Sequence, residues 1–157
     1  MTVSQTSVLI IEANFYEDIS NELVRGSTEE LRKHNINFER VAVPGALEIP
    51  QALASAISAG LFNKKARYQG CIALGCVIRG ETQHNEIVGN ESARALLDIS
   101  ITKGIALGNG ILTVNDREQA WARASVDGKN KGADAANACV RLMELSGDFE
   151  RKSGLKT

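Results

Sequence analysis

The chain has 157 residues, of which 43% are hydrophobic and 24% charged, and a formal net charge of −1. That length fits one domain whose core needs neither disulfides nor metal. The balanced charge contains no basic block, so neither nucleic acid nor an anionic membrane is an expected partner, and no apolar run reaches the length of a membrane span.

Met1-Thr2-Val3-Ser4-Gln5-Thr6 reads as a short N-terminal arm. It has no basic region ahead of an apolar stretch, which is unlike a secretory signal and points to the cytoplasm. Ser7 to Ala13 is a continuous apolar run, as in a strand buried on both faces. Asn14 with Glu17 resembles a capping box. A helix is expected from about Tyr16 to His34, with Ile19, Leu23 and Leu31 on its buried stripe and Gly26 or Ser27 between them. Asn35 ends it. His34, in that helix-end setting, is expected in solvent. Phe15 lies in the loop between strand and helix, where a core aromatic and a site residue are equally good readings.

Phe38 to Val43 reads as the second strand. Pro44-Gly45-Ala46-Leu47-Glu48-Ile49-Pro50 then turns into a helix that continues to Gly60, with Leu53, Ala56 and Ile57 on one face. Pro50 fits only the first turn, where its missing N–H costs nothing. Glu48 suits the positive end of the helix dipole, and it suits ligand hydroxyls equally well. Lys64 to Tyr68 is a solvated connector.

The third strand spans Gly70 to Ile78. Gly80 breaks it, and a helix follows His84 to about Thr102, with Ile87, Ala93, Leu96 and Leu97 as its apolar positions. Strand ends of this kind hold ligands in parallel α/β sheets. A helix start offers unpaired N–H groups and a positive dipole end to a phosphate. Gly80 admits a close backbone approach, Thr82 adds a hydroxyl, and His84 adds a side chain that titrates near neutrality. Turn and cap chemistry alone would also explain these residues.

Ile105 to Val114 reads as the fourth strand. Its glycines, Gly108 and Gly110, signal a bulge or a close backbone approach. Asn115 with Glu118 looks like a second capping box, opening a helix through Trp121 and Arg123. Asp127 to Asn130 breaks it. A last helix runs from about Lys131 to Gly147, through Ala136, Cys139, Val140 and Met143, and residues 147–157 read as a frayed tail. Cys71 and Cys76 point to opposite faces of one strand. With Cys139 they read as buried, reduced thiols, and the distant His34 and His84 suggest no metal site.

Strands alternate with helices throughout. The expected fold is therefore a single-domain, three-layer α/β/α sandwich with a four-stranded parallel sheet, of flavodoxin-like type.

Four stretches, in order, carry a resemblance: Pro44 to Pro50; Gly75 to His84; Gly110-Ile111-Leu112-Thr113 with Glu118-Gln119-Ala120; and Asn130-Lys131-Gly132. Together they resemble the 6,7-dimethyl-8-ribityllumazine synthase family, over roughly Ile10 to Leu145. The resemblance implies condensation of 5-amino-6-(D-ribitylamino)uracil with 3,4-dihydroxy-2-butanone 4-phosphate, the penultimate step of riboflavin biosynthesis. It implies no metal or redox cofactor. It implies that His84 transfers protons, that Phe15 stacks on the pyrimidine, and that Ala46 and Glu48 hold the ribityl chain. Val77 and Ile78 would line the ring pocket. Gly80, Glu81 and Thr82 would meet the phosphate, with Arg123 as counter-charge and Lys131 close to the reacting groups. Asn109, Arg123 and Lys131 would serve the site of the adjacent subunit in a homopentamer. On position alone, Arg123 and Lys131 are surface cations. Many relatives carry an aromatic residue where this chain has Asn109. A flavin- or lumazine-binding paralogue without turnover, and a generic flavodoxin-like phosphate-binding domain, are the competing readings.

Overall fold

A computed structural model of the protein describes residues 5–80 and 84–154. The strands are β1 (Ser7–Ala13), β2 (Asn37–Val43), β3 (Gly70–Ile78) and β4 (Ala106–Val114). The helices are α1 (Glu17–Lys33), α2 (Glu48–Ser58), α3 (His84–Lys103), α4 (Arg117–Ala124) and α5 (Lys131–Ser153). The four strands form one parallel sheet in the order β2-β1-β3-β4.

From β1 the chain first steps outward to β2, then crosses back to β3 and on to β4. Right-handed crossovers place helices on opposite faces when the direction of travel reverses. The packing follows that rule. Even-numbered strand residues such as Val8, Ile10, Ile72, Leu74 and Leu112 join α1, α4 and α5 in one buried cluster. Odd-numbered residues such as Leu9, Ile11, Cys71 and Ala73 join α2 and α3 in the other. The central strands β1 and β3 are buried on both faces, whereas the edge strand β2 is mostly exposed. Cys71 and Cys76 do face opposite layers.

The glycines of β4 mark a close approach. The β3–β4 register is unbroken from Gly70↔Ala106 to Ile78↔Val114, which leaves no bulge. A Cβ on Gly108 would lie 1.9 Å from the Ala135 carbonyl oxygen, so only glycine lets α5 lie this near the strand. The α1–α5 contact is equally tight. Ser27 Oγ donates to the Gly132 carbonyl at 2.6 Å. A Cβ on Gly132 would stand 2.1 Å from the Leu23 oxygen.

Several element ends differ from expectation. Asn14 does not cap α1: its N–H donates to the Val43 carbonyl at 3.1 Å, and the cap position falls on Tyr16 without a side-chain bond. The α4 cap is Asp116, whose carboxylate accepts from the Gln119 N–H at 2.8 Å. The Gln119 side chain in turn accepts from the Asn115 N–H, so the reciprocal pair sits one residue later than Asn115 with Glu118. α5 does not end near Gly147; it runs to Ser153, where Gly154 takes a left-handed φ of 72°. The buried stripe of α3 is Asn85, Ser92 and Leu96, while Ile87 and Leu97 point outward. Asn35 does end α1, with a left-handed φ of 56°, and His34 is exposed. No described helix is long and apolar enough to cross a membrane.

Candidate active site

The chain leaves β1 toward one edge of the sheet and β3 toward the other, so the connections diverge at their carboxyl ends. Such a switch point opens a crevice, and open α/β sheets bind ligands there. Here it is a cleft of about 380 Å³. Its walls are Ala13, Phe15 and Tyr16 after β1, Gly45 to Glu48 entering α2, Cys76 to Ile78 and Gly80 at the end of β3, and His84, Asn85 and Val88 on α3.

Seven of the residues singled out from sequence meet in this cleft: Phe15, Ala46, Glu48, Val77, Ile78, Gly80 and His84. Phe15 is 74% exposed, which rules out a core role, and its ring stands edge-on to Tyr16 with centroids 5.0 Å apart. An exposed aromatic at a cleft mouth is a stacking platform. Ala46 and Val77 are buried. Glu48 is half-buried at the first position of α2, and its Oε1 would lie 3.1 Å from a Cβ on Gly45. That carboxylate thus rests against the turn, where it can accept from hydroxyls. Nothing lies within 4 Å of where a Gly80 Cβ would be, so this turn is open to a ligand. His84 is exposed on the first residue of α3. Glu81 and Thr82 lie outside the described residues.

Asn109, Arg123 and Lys131 do not line this cleft. Asn109 is exposed on β4, and its side-chain oxygen accepts from the Ile111 N–H at 2.9 Å. Arg123 is half-buried on α4, with Nη1 donating to the Gln119 carbonyl at 3.2 Å. Lys131 is exposed and pairs with Asp134 at 3.3 Å.

Sequence reasoning passed over Tyr16, Leu47, Cys76, Asn85 and Val88, which also line the cleft. Asn85 was detectable in principle, because it heads the i, i+7, i+11 stripe that continues through Ser92 and Leu96. Cys76 is a wall and no nucleophile: burial pushes its thiol up to about 11. Beside it, Arg117 lies over the Tyr16 ring and holds Asp18 at 2.6 Å, keeping that carboxyl below its usual range.

A larger cavity, about 890 Å³, lies at the opposite ends of the strands, between α3, β4 and α5. It is lined by Phe62, Ala93, Leu97, Ile101, Leu107 and Leu142, with Asn109 on its wall. It contains no histidine and stands away from the carboxyl ends, so the smaller cleft is the better site for chemistry.

Residues 5–147 match the protein family described as 6,7-dimethyl-8-ribityllumazine synthase. The chain is 53% identical over 142 residues to the 6,7-dimethyl-8-ribityllumazine synthase of Bartonella henselae, covering 90% of this chain and 89% of that one. It is 49% identical over 143 residues to the protein of the same name from Afipia carboxidovorans, covering 91% and 87%. It is 51% identical over 143 residues to 6,7-dimethyl-8-ribityllumazine synthase 1 of Rhodopseudomonas palustris, again covering 91% and 87%.

Proposed function

Since the chain belongs to the 6,7-dimethyl-8-ribityllumazine synthase family, we propose that it catalyses the reaction for which the family is named. 5-Amino-6-(D-ribitylamino)uracil condenses with 3,4-dihydroxy-2-butanone 4-phosphate to give 6,7-dimethyl-8-ribityllumazine, phosphate and water, the penultimate step of riboflavin biosynthesis. The observation that carries this reading is the family match along nearly the whole chain, with an imidazole, a carboxylate and an exposed aromatic ring around one cleft at the switch point.

The amine of the uracil attacks the ketone, a Schiff base forms, phosphate leaves by elimination, and the ring closes. Each step moves a proton, and His84 serves as the general acid–base group, a role worth about 10²–10⁴-fold where it operates well. Holding two substrates together contributes as much or more. Phe15 stacks on the pyrimidine, with Val77 and Ile78 beneath it. Ala46 and Glu48 hold the ribityl chain, Glu48 by accepting from its hydroxyls. Gly80, Glu81 and Thr82 form the phosphate turn.

Asn109, Arg123 and Lys131 complete the site of a neighbouring copy. Arg123 supplies the counter-charge to phosphate, Lys131 lies close to the reacting groups, and Asn109 stands at the wall over the heterocycle. Their absence from the cleft of their own chain supports this assignment. So does the apolar groove beside Asn109, which suits a second copy of the chain. The assembly we propose is a homopentamer, since a closed ring repeats one head-to-tail contact at every shared site. Three free thiols suit a protein of the reducing cytoplasm.

The test is an absorbance assay for lumazine formation from the two substrates with purified protein. Turnover above the uncatalysed rate is expected. No acceleration, together with tight binding of riboflavin, would favour a binding protein that uses the same pocket.

A further inference from the structure

Asn85 is 8% exposed, on the second residue of α3, and lines the cleft. Among the described residues, nothing hydrogen-bonds its carboxamide. The next polar side chain on the same stripe behaves differently: Ser92 Oγ donates back to the Gly89 carbonyl at 3.1 Å. The fully enclosed side-chain atoms without a partner among the described residues are Ser20 Oγ and Asn130 Oδ1, and the Asn85 amide is not one of them; it opens onto the cleft, where a ligand can pair with it. Among the described residues that line the cleft with it, Val77, Ile78 and Val88 are apolar, and Glu48 and His84 are the carboxylate and the imidazole.

We infer that Asn85 is a specificity residue of this site, whose carboxamide hydrogen-bonds the lactam edge of the pyrimidinedione ring. The inference rests on the reading of the cleft as a lumazine synthase site. A carboxamide presents one donor and one acceptor side by side. The ring's N3–H and adjacent carbonyl present the complement, in the two-point manner by which Asn reads a nucleobase edge. Phosphate fits poorly, because its dianion only accepts and would leave the Asn85 oxygen unpaired. The ribityl hydroxyls already have an acceptor in Glu48. A site built to hydrogen-bond a substrate group rejects an analogue that lacks it.

The probe is 6-(D-ribitylamino)uracil, which lacks the reacting amine and therefore binds without condensing. Its N3-methyl derivative is the second ligand and inorganic phosphate the third. Asn85→Leu is expected to weaken the first about ten- to hundred-fold, as for two lost hydrogen bonds, and to leave phosphate affinity unchanged. The penalty for N3-methylation, large in the wild type, should shrink in Asn85→Leu. Because no described residue hydrogen-bonds the amide, Asn85→Leu should unfold at the same urea concentration as the wild type or higher. A structural amide would give the reverse. If the leucine variant does not fold, Asn85→Asp, which has the same shape without the donor, carries the same expectation for binding. Unchanged affinity, an undiminished N3-methyl penalty, or a loss confined to phosphate would overturn the inference. Wild-type turnover is scored separately: a protein that forms lumazine yet binds the analogue equally well with and without Asn85 disproves this inference alone.

Discussion

His84 and Asn85 are consecutive, yet one is exposed and the other buried. A helix start at the mouth of a cleft imposes that split, with one side chain at the open rim and the next turned into the wall. Removing the imidazole is therefore expected to affect rate more than binding. His84→Ala should lower turnover toward the low end of the ~10²–10⁴ range, since proximity still operates. Titration with the non-condensing uracil should give nearly wild-type affinity, and an equal loss in both measurements would contradict a proton-transfer role. The place of His84 at the cleft was legible because it follows a strand and a glycine, at a carboxyl-end turn. Asn85 was not, because an asparagine near a helix start has a routine capping role, and its burial is a tertiary fact. The thiols give a second expectation at this scale. Burial raises Cys71 well above its ordinary value and Cys139 to about 12. Between about pH 8 and 10 the unfolded thiols ionise while these two stay protonated. The unfolded chain then binds fewer protons than the native one, so stability should fall as pH rises through that window. Urea midpoints measured from pH 8 to 10 check the sign, and Cys139→Ala should flatten part of the decline.

Among the elements, the ends and faces of helices were hardest to place. A capping pair is a local signal, and here Asn115 with Glu118 and Asp116 with Gln119 compete within one turn; backbone geometry selects the second. In α3 Leu96 is buried as expected, but Ile87 and Leu97 point outward and the polar Asn85 and Ser92 point inward. Hydrophobic periodicity finds the most apolar face, and in the homopentamer proposed above that face of α3 would meet a neighbouring copy and not its own sheet. The strands fared better: β3 spans Gly70–Ile78 as read, because a run buried on both faces has no second interpretation. α4 is eight residues long and relies on its cap. Asp116→Ala should cost about 1 kcal/mol of stability, whereas Asp116→Ser, which still accepts from the helix N–H groups, should retain most of it. Urea unfolding compares the two. As Arg123 rests on the Gln119 carbonyl, loosening this helix should also raise KM for the phosphate substrate more than for the uracil.

For the whole molecule, the alternation of strand and helix was enough to give a covered parallel sheet, and handedness does the rest. The site as proposed draws on more than one chain. α3 presents Leu97 at 60% exposure and Ile101 at 72%, beside a groove of about 890 Å³ with Asn109 on its wall. Leu97 and Ile101 are one turn apart on the same helix face, and exposed apolar side chains so placed suit a contact with another chain. If five copies close a ring through that groove, each cleft receives Asn109, Arg123 and Lys131 from its neighbour. Light scattering should then report about 85 kDa, five chains of 16.9 kDa. A charge at the groove separates assembly from folding: Leu97→Asp and Ile101→Asp alter exposed positions, so the single chain should keep its secondary structure while the ring dissociates. Turnover should fall with it, and should depend on protein concentration in a variant that dissociates only partly. A shell near one megadalton would show that pentamers associate further and are not free rings. A monomeric variant with full activity would show that the cleft of one chain suffices, and that Arg123 and Lys131 act, if at all, without crossing an interface.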